Sequence, residues 1–267
     1  MNITALWSEL LRRNRLLAIA GLGCVLLFGV LAVIAAFDAM TILGINRWIK
    51  PMKFAISIAV FQWTMAWLLA YLNTKPQAVR LITWGIIITM LAEIMPIVGQ
   101  AARGTTSHFN VTTPFDGAIF SLMGVMILLN TLLIIYVIVL FFTTPVNLPA
   151  AYLWGIRLGL IIFVLASIEG GLMAAMLHHS IGVADGGAGL PFVNWSTRGG
   201  DLRIAHFVGL HALQVLPFVG FLLDRFGKQL SAIRPVTLTI GFAAVYALLT
   251  ACLFIQAMAG RPLLALS

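Results

Sequence analysis

The sequence predicts an all-α integral membrane bundle of seven transmembrane helices, preceded by a short N-terminal interfacial helix. Three observations carry this reading. Of 267 residues, 61% are hydrophobic and only 9% are charged, a balance far outside that of soluble domains. The apolar residues fall into seven runs of about 20, the length that crosses the hydrocarbon core of a bilayer at ~1.5 Å per helical residue. The charges stand singly between those runs. A formal charge of +8 would suit nucleic acid, but no basic stripe with interleaved aromatics exists, so the cations read as loop anchors that set topology. The expected partners are therefore the lipid bilayer and a small-molecule or ion ligand, with no nucleic acid, and residues 1–267 read as one transmembrane domain.

Taken in order, residues 1–15 set Leu6, Trp7, Leu10 and Leu11 against Glu9, Arg12, Arg13 and Arg15, the pattern of a helix lying in the interface. The first span, 16–37, is too long for a signal-peptide core and lacks a convincing cleavage site, so it reads as uncleaved. The others read as 51–72, 79–100, 116–142, 150–177, 202–223 and 236–258. Pro51 suits a first helical position, and Asp116 and Asp201 suit N-caps of the fourth and sixth spans. Connections on the face bearing the amino terminus are short. On the other face, 101–115 and 178–200 are longer and rich in Gly, Ser, Thr, Asn and His. Positive charge divides almost evenly between the faces, and Arg12, Arg13 and Arg15 ahead of the first span tip the expectation to a cytoplasmic amino terminus and an external carboxyl terminus. Cys24 and Cys252 lie inside the first and last spans at different depths with no CxxC, and read as small packing residues.

The chemistry gathers on the face away from the amino terminus. All five histidines lie there: His108, His178, His179, His206 and His211. Counted from that end of each span at ~1.5 Å per residue, Glu93 lies roughly 10 Å deep, Glu169 roughly 12 Å, His206 roughly 8 Å and His211 roughly 15 Å. Ionisable groups at such depth are costly, and by default they face the interior, pair, and mark a pathway or site. His206 and His211 are five apart, so they diverge by ~140° on a helix and do not share one metal. The HExxH spacing of zinc proteases is absent.

Three readings follow. In the first, His206 or His211 is a ligand to a metal ion or haem b, completed by His178, His179, Glu169 or Met173, since imidazole serves both and a thioether can join it. Arg103, Arg198 and Arg203 would contact an anionic group such as a haem propionate or lipid phosphate, and the site would be redox-active. In the second, Glu93 and Glu169 titrate in a proton-coupled transporter or channel for a small solute, with the histidines as relays. The third is a metal-dependent membrane hydrolase. Seven spans with histidines, Asp201 and Ser196 resemble the plan of the zinc-dependent alkaline ceramidase and adiponectin-receptor superfamily. That superfamily pairs histidines four apart in its last span, and the seventh span here has none.

KPMKFAIS opening the second span, QAARGTTSHFN after the third and GDLRIAHFVGLHALQ opening the sixth resemble a family of bacterial polytopic integral membrane proteins of uncharacterised activity. The resemblance covers most of the spans. It implies a bacterial cytoplasmic (inner) membrane location and assigns no residue a role.

Overall fold

The computed structural model describes residues 2–187, 189–230 and 233–265, with the backbone alone for 227–230. The described chain is all-α apart from two-residue ladders in its loops. Seven helices are long and apolar enough to cross a bilayer: α1 (Ile3–Phe37), α2 (Ile49–Leu69, continued by a 3-10 turn Ala70–Leu72), α3 (Pro76–Ala102), α4 (Pro114–Thr143), α5 (Ala150–Met176), α6 (Leu202–Leu230) and α7 (Pro235–Met258). The protein is an integral, multi-pass membrane protein. Helices are what a bilayer demands, because each backbone N–H and C=O must be satisfied within its own segment.

The amino terminus corrects the expectation of a separate short interfacial helix. One long helix, α1, runs through it, with non-helical dihedrals at Asn14 (φ −155°, ψ 95°). Asn14 makes that break inexpensive. Its Oδ1 accepts the Leu17 N–H at 3.1 Å, capping the helix that resumes, while Nδ2 donates to Thr83 Oγ1 at 2.7 Å. The turns before the break are spent on α2 rather than on the interface alone. Trp7 meets Trp63 edge-on at 6.4 Å. The Arg13 guanidinium lies 3.9 Å from the Trp67 ring centre and donates to the Trp67 carbonyl near the end of α2, where a cation complements the helix dipole.

The chain divides into two compact units, Met1–Leu133 and Ile134–Ser267. In the first, α1 and α2 pack closely: the Trp63 indole fills the space beside Gly21 and donates to the Ala18 carbonyl at 3.0 Å. Leu31, Trp48 and Ala101 form a buried cluster joining α1, α2 and α3. Between α1 and α2, β1 (Thr41–Ile42) pairs with β2 (Ile45–Asn46). Leu43 and Gly44 both take positive φ at that tip, as a two-residue hairpin requires. Pro51 is the third residue of α2, not the first, still within the turn where no N–H is needed. Nor is Asp116 the cap of α4. Thr113 Oγ1 accepts the Asp116 N–H at 3.1 Å and donates to Asp116 Oδ2 at 2.7 Å, because the residue three before Asp116 carries a hydroxyl able to cap it.

In the second unit, α5 and α6 approach backbone to backbone. Side chains are excluded at Gly155, Gly159 and Gly220, and a Cβ on Gly159 would lie 2.7 Å from the Ala212 carbonyl oxygen. Lipid tails are as apolar as leucine, so such small-residue approach supplies the association energy that burial supplies in water. Ile162, Ala212, Leu216 and Ala243 form the core where α7 joins this pair, and the Tyr246 hydroxyl donates to the Val208 carbonyl at 2.6 Å. β3 (Ser180–Ile181) pairs antiparallel with β4 (Gly200–Asp201), closing the long loop before α6. Asp201 does cap that helix, its Oδ1 accepting the Arg203 N–H at 3.1 Å.

Gly159→Leu forces α5 from α6. It should cost about 1–3 kcal/mol, the usual penalty of overpacking, read as a lower melting temperature in detergent, whereas Gly23→Leu, at a position with open space around it, should leave that temperature nearly unchanged.

Candidate functional site

Most of the acidic side chains are taken up by cations or backbone at helix ends. Asp38, just past α1, accepts from the Met40 N–H at 2.9 Å, the Trp48 indole at 2.7 Å and Arg47 at 2.6 Å. The Met40 N–H first, then Trp48 and Arg47, hold its carboxyl below the usual carboxylate range. Arg47 also donates to the Ala102 carbonyl at 3.1 Å, completing the end of α3. Asp116 accepts from Gln100 at 2.8 Å, Arg103 at 2.7 Å and Thr113 at 2.7 Å. In the second unit Asp201 accepts from Arg203 at 2.6 and 2.9 Å and from the Ser196 N–H at 2.8 Å. Burial works against its charge, but Arg203 and the Ser196 N–H outweigh it and hold the carboxyl low. Arg103 and Arg203, expected as anion contacts, thus bond to carboxylates of their own chain. Arg198 is exposed, its backbone N–H 3.4 Å from Ser196 Oγ.

Glu93 is different. It lies within α3, is 3% exposed, and meets no arginine. Its Oε1 is 3.4 Å from His108 Nε2, and its buried Oε2 has no hydrogen-bond partner. The loop builds the approach of His108. Asn110 donates to Thr105 Oγ1 at 2.9 Å and the Thr106 carbonyl at 3.0 Å, and accepts from the Thr112 hydroxyl at 2.7 Å. These bonds fold residues 105–112 inward. Phe109 turns through a left-handed conformation (φ 61°), and the His108 ring settles among Phe54, Phe109 and Phe120 at 5.4, 6.1 and 6.5 Å between ring centres. Ser107 Oγ lies 3.1 Å from His108 Nδ1. The imidazole therefore links a hydroxyl near the helix ends to a carboxylate inside the bundle.

The second unit places the other expected residues separately. His206 Nδ1 donates to the Ala166 carbonyl at 2.8 Å. Its ring fills the space beside Gly170, where a Cβ would lie 2.9 Å from Cε1, while Gly171 faces open space. His211 turns back on its own helix, Nδ1 donating to the Phe207 carbonyl at 2.7 Å, its ring 4.1 Å from that of Phe207. His178 Nδ1 bonds the Ser180 carbonyl at 2.9 Å. His179 Nδ1 lies 3.3 Å from Asp185 and 3.7 Å from Asp201. Met173 is buried, and Glu169 keeps a buried Oε1 without a partner. Among the described residues, no group of three or more His, Cys, Asp or Glu side chains is placed to hold a metal ion.

Ser196 Oγ accepts the Gly199 N–H at 3.1 Å. Ser180 Oγ and Asp185 both approach Nδ1 of His179, at 3.2 and 3.3 Å.

Three site features escaped the sequence reading: the His108–Glu93 pair, the buried amide of Asn130, and its contact with Thr89. Fifteen residues separate Glu93 from His108, and no periodicity links a helix interior to a loop. Asn130 and Thr89 are common polar residues whose only signal was an amide inside a long apolar run.

Compared with family models, curated proteins and solved structures, the chain matches none.

The low carboxyl of Asp201 sets a pH dependence. A folded-state pKa below the unfolded one adds stability that is present above the unfolded value of about 3.9 and is lost as pH falls through the folded one. Asp201→Asn should therefore lower the melting temperature at pH 7, by an amount corresponding to about 1–3 kcal/mol. The gap to wild type should close as both are measured at successively lower pH below about 4.

Proposed function

We propose that the protein moves protons within the bilayer, as a proton-coupled transporter or channel for a small solute, with Glu93 titrating and His108 as its relay. The observation that carries this is the contact of a buried, arginine-free carboxylate with an imidazole at 3.4 Å. Asp38, Asp116 and Asp201 are each bonded to an arginine, whereas the group in contact with Glu93 is an imidazole, with Lys50 of α2 also acting on it; a carboxylate that exchanges a proton needs a partner able to give and take one near neutral pH, as imidazole does. Glu169, with its unpartnered oxygen, is the second titrating carboxylate of this reading. The resemblance in the three sequence motifs supports a bacterial cytoplasmic membrane location. Arg12, Arg13 and Arg15 support a cytoplasmic amino terminus.

Reconstituted protein should carry a proton flux that depends on pH, followed with a trapped pH-sensitive dye. Glu93→Gln should reduce that flux at least about tenfold, the effect of one lost proton-transfer group. His108→Ala should slow it and change its pH profile. Unchanged flux in Glu93→Gln would end the proposal.

A second reading rests on His206. With Nδ1 donating to the Ala166 carbonyl, Nε2 is left as the acceptor, the tautomer that a single imidazole ligand to haem iron or a metal requires. On this reading, purified protein carries stoichiometric metal or a haem Soret band, and His206→Ala abolishes it. Metal-free folded protein would dispose of it.

A further inference from the structure

The face of α3 that carries Glu93 continues inward. Thr89, four residues before Glu93, and Gln100, seven after it, lie within about 40° of one another and of Glu93 around the helix. All three are buried. The partners of the outer and inner members come from α4: Gln100 donates to Asp116 at 2.8 Å, and Thr89 Oγ1 lies 3.4 Å from Asn130 Oδ1. Asp116, Met123 and Asn130 follow one another at seven-residue spacing, each buried, so α4 too presents a single stripe. Two polar contacts thus bracket Glu93 along one seam. The outer is tight and charged. The inner is neutral and loose.

The looseness has a cause. The Thr89 hydroxyl has one proton, and the Gly85 carbonyl at 2.8 Å is a nearer acceptor than Asn130. Asn130 stands in one of the most apolar helices of the chain, roughly 24 Å from its start at ~1.5 Å per residue. An amide at such depth is costly unless it is paired, and a threonine with its proton committed elsewhere is a poor partner. An amide with two donors and an acceptor, beside a threonine that lies one helical turn from Glu93, is suited to orienting water.

We propose that Thr89 and Asn130 are positioning residues that extend the proton path inward from Glu93 along the α3–α4 seam, orienting the water that carries the proton onward. This rests on the proton-handling reading of Glu93. Neither side chain titrates. The charged and titratable groups facing Glu93 are His108 from the loop and Lys50 from α2; Arg103 and Asp116 close the outer end of the seam on each other.

The test uses full-length protein in liposomes of bacterial polar lipid with a trapped pH dye, comparing wild type, Glu93→Gln, Asn130→Val, Asn130→Asp and Thr89→Val. Folding is monitored by melting temperature. The infrared band of the protonated Glu93 carboxyl, assigned by its loss in Glu93→Gln, is titrated in each variant. Asn130→Val should cut the flux about tenfold and move the midpoint of the Glu93 band, Thr89→Val should act in the same direction, and Asn130→Asp should restore flux with an altered pH profile. If Glu93→Gln abolishes flux while folded Asn130→Val and Thr89→Val keep wild-type flux and band midpoint, the inward path is overturned and the Glu93 reading stands. If Glu93→Gln itself keeps full flux, both fall. If Asn130→Val fails to fold, the decision passes to Asn130→Asp and Thr89→Val. Wild-type flux with an unshifted band in both overturns the path.

Discussion

The structure depends on one constraint: a polar group inside an apolar bundle must find its partner within the chain. In water an unpaired carboxylate or amide costs little, because solvent completes it. In hydrocarbon it costs several kcal/mol. Residues that would be unremarkable on a soluble helix therefore become the organising points of this one. Asn14 shows the principle in a structural role. A break inside a membrane helix frees backbone donors, and this side chain caps one of them while its amide reaches Thr83.

The same constraint separates the carboxylates into two kinds. Glu9, Asp38, Asp116 and Asp201 each bond an arginine, all of them near helix ends. Those pairs fasten loops. Arg47 ties the connection between α1 and α2 to the end of α3, and Arg103 with Asp116 ties the end of α3 to the start of α4. Arginine cannot release its proton in a protein, so such pairs are fixed ionic clamps. Glu93 lies deeper and has imidazole in place of guanidinium. The group that contacts Glu93 is thus an imidazole, while Lys50 also acts on it from α2; on the proposed function this carboxylate exchanges a proton rather than fastening a loop. Glu93 and Glu169 also each keep a buried oxygen without a hydrogen bond, the cost that a fastening residue avoids and an exchanging one tolerates.

The seven helices were legible in the sequence because hydrocarbon thickness imposes run length directly. The run through Asn14 was not. The charge pattern of residues 3–15 reads as interfacial when the Trp7–Trp63 and Arg13–Trp67 contacts are unknown. Glu93 was legible as an outlier, but its partner was not, since His108 sits in a loop whose inward turn depends on the bonds of Asn110 and the left-handed backbone at Phe109. His211 has one ring nitrogen bonded to the carbonyl four residues back on its own helix, a partner that no spacing rule registers.

The two long loops differ in what their side chains reach. Residues 178–201 fold on themselves: β3 pairs with β4, His179 and the backbone of Ser180 close on Asp185, and Arg203 closes on Asp201. His178 bonds the Ser180 carbonyl and His179 meets the Ser180 hydroxyl in the same loop. Residues 103–113 are also bonded internally, but Arg103 and Thr113 reach Asp116, and His108 reaches the buried Glu93. Phe54, Phe109 and Phe120 pack around the ring of His108, whose side chain stays 24% exposed. On the proposed function this imidazole, with a hydroxyl at one nitrogen and a carboxylate near the other, accepts a proton at the outer nitrogen and releases one at the inner.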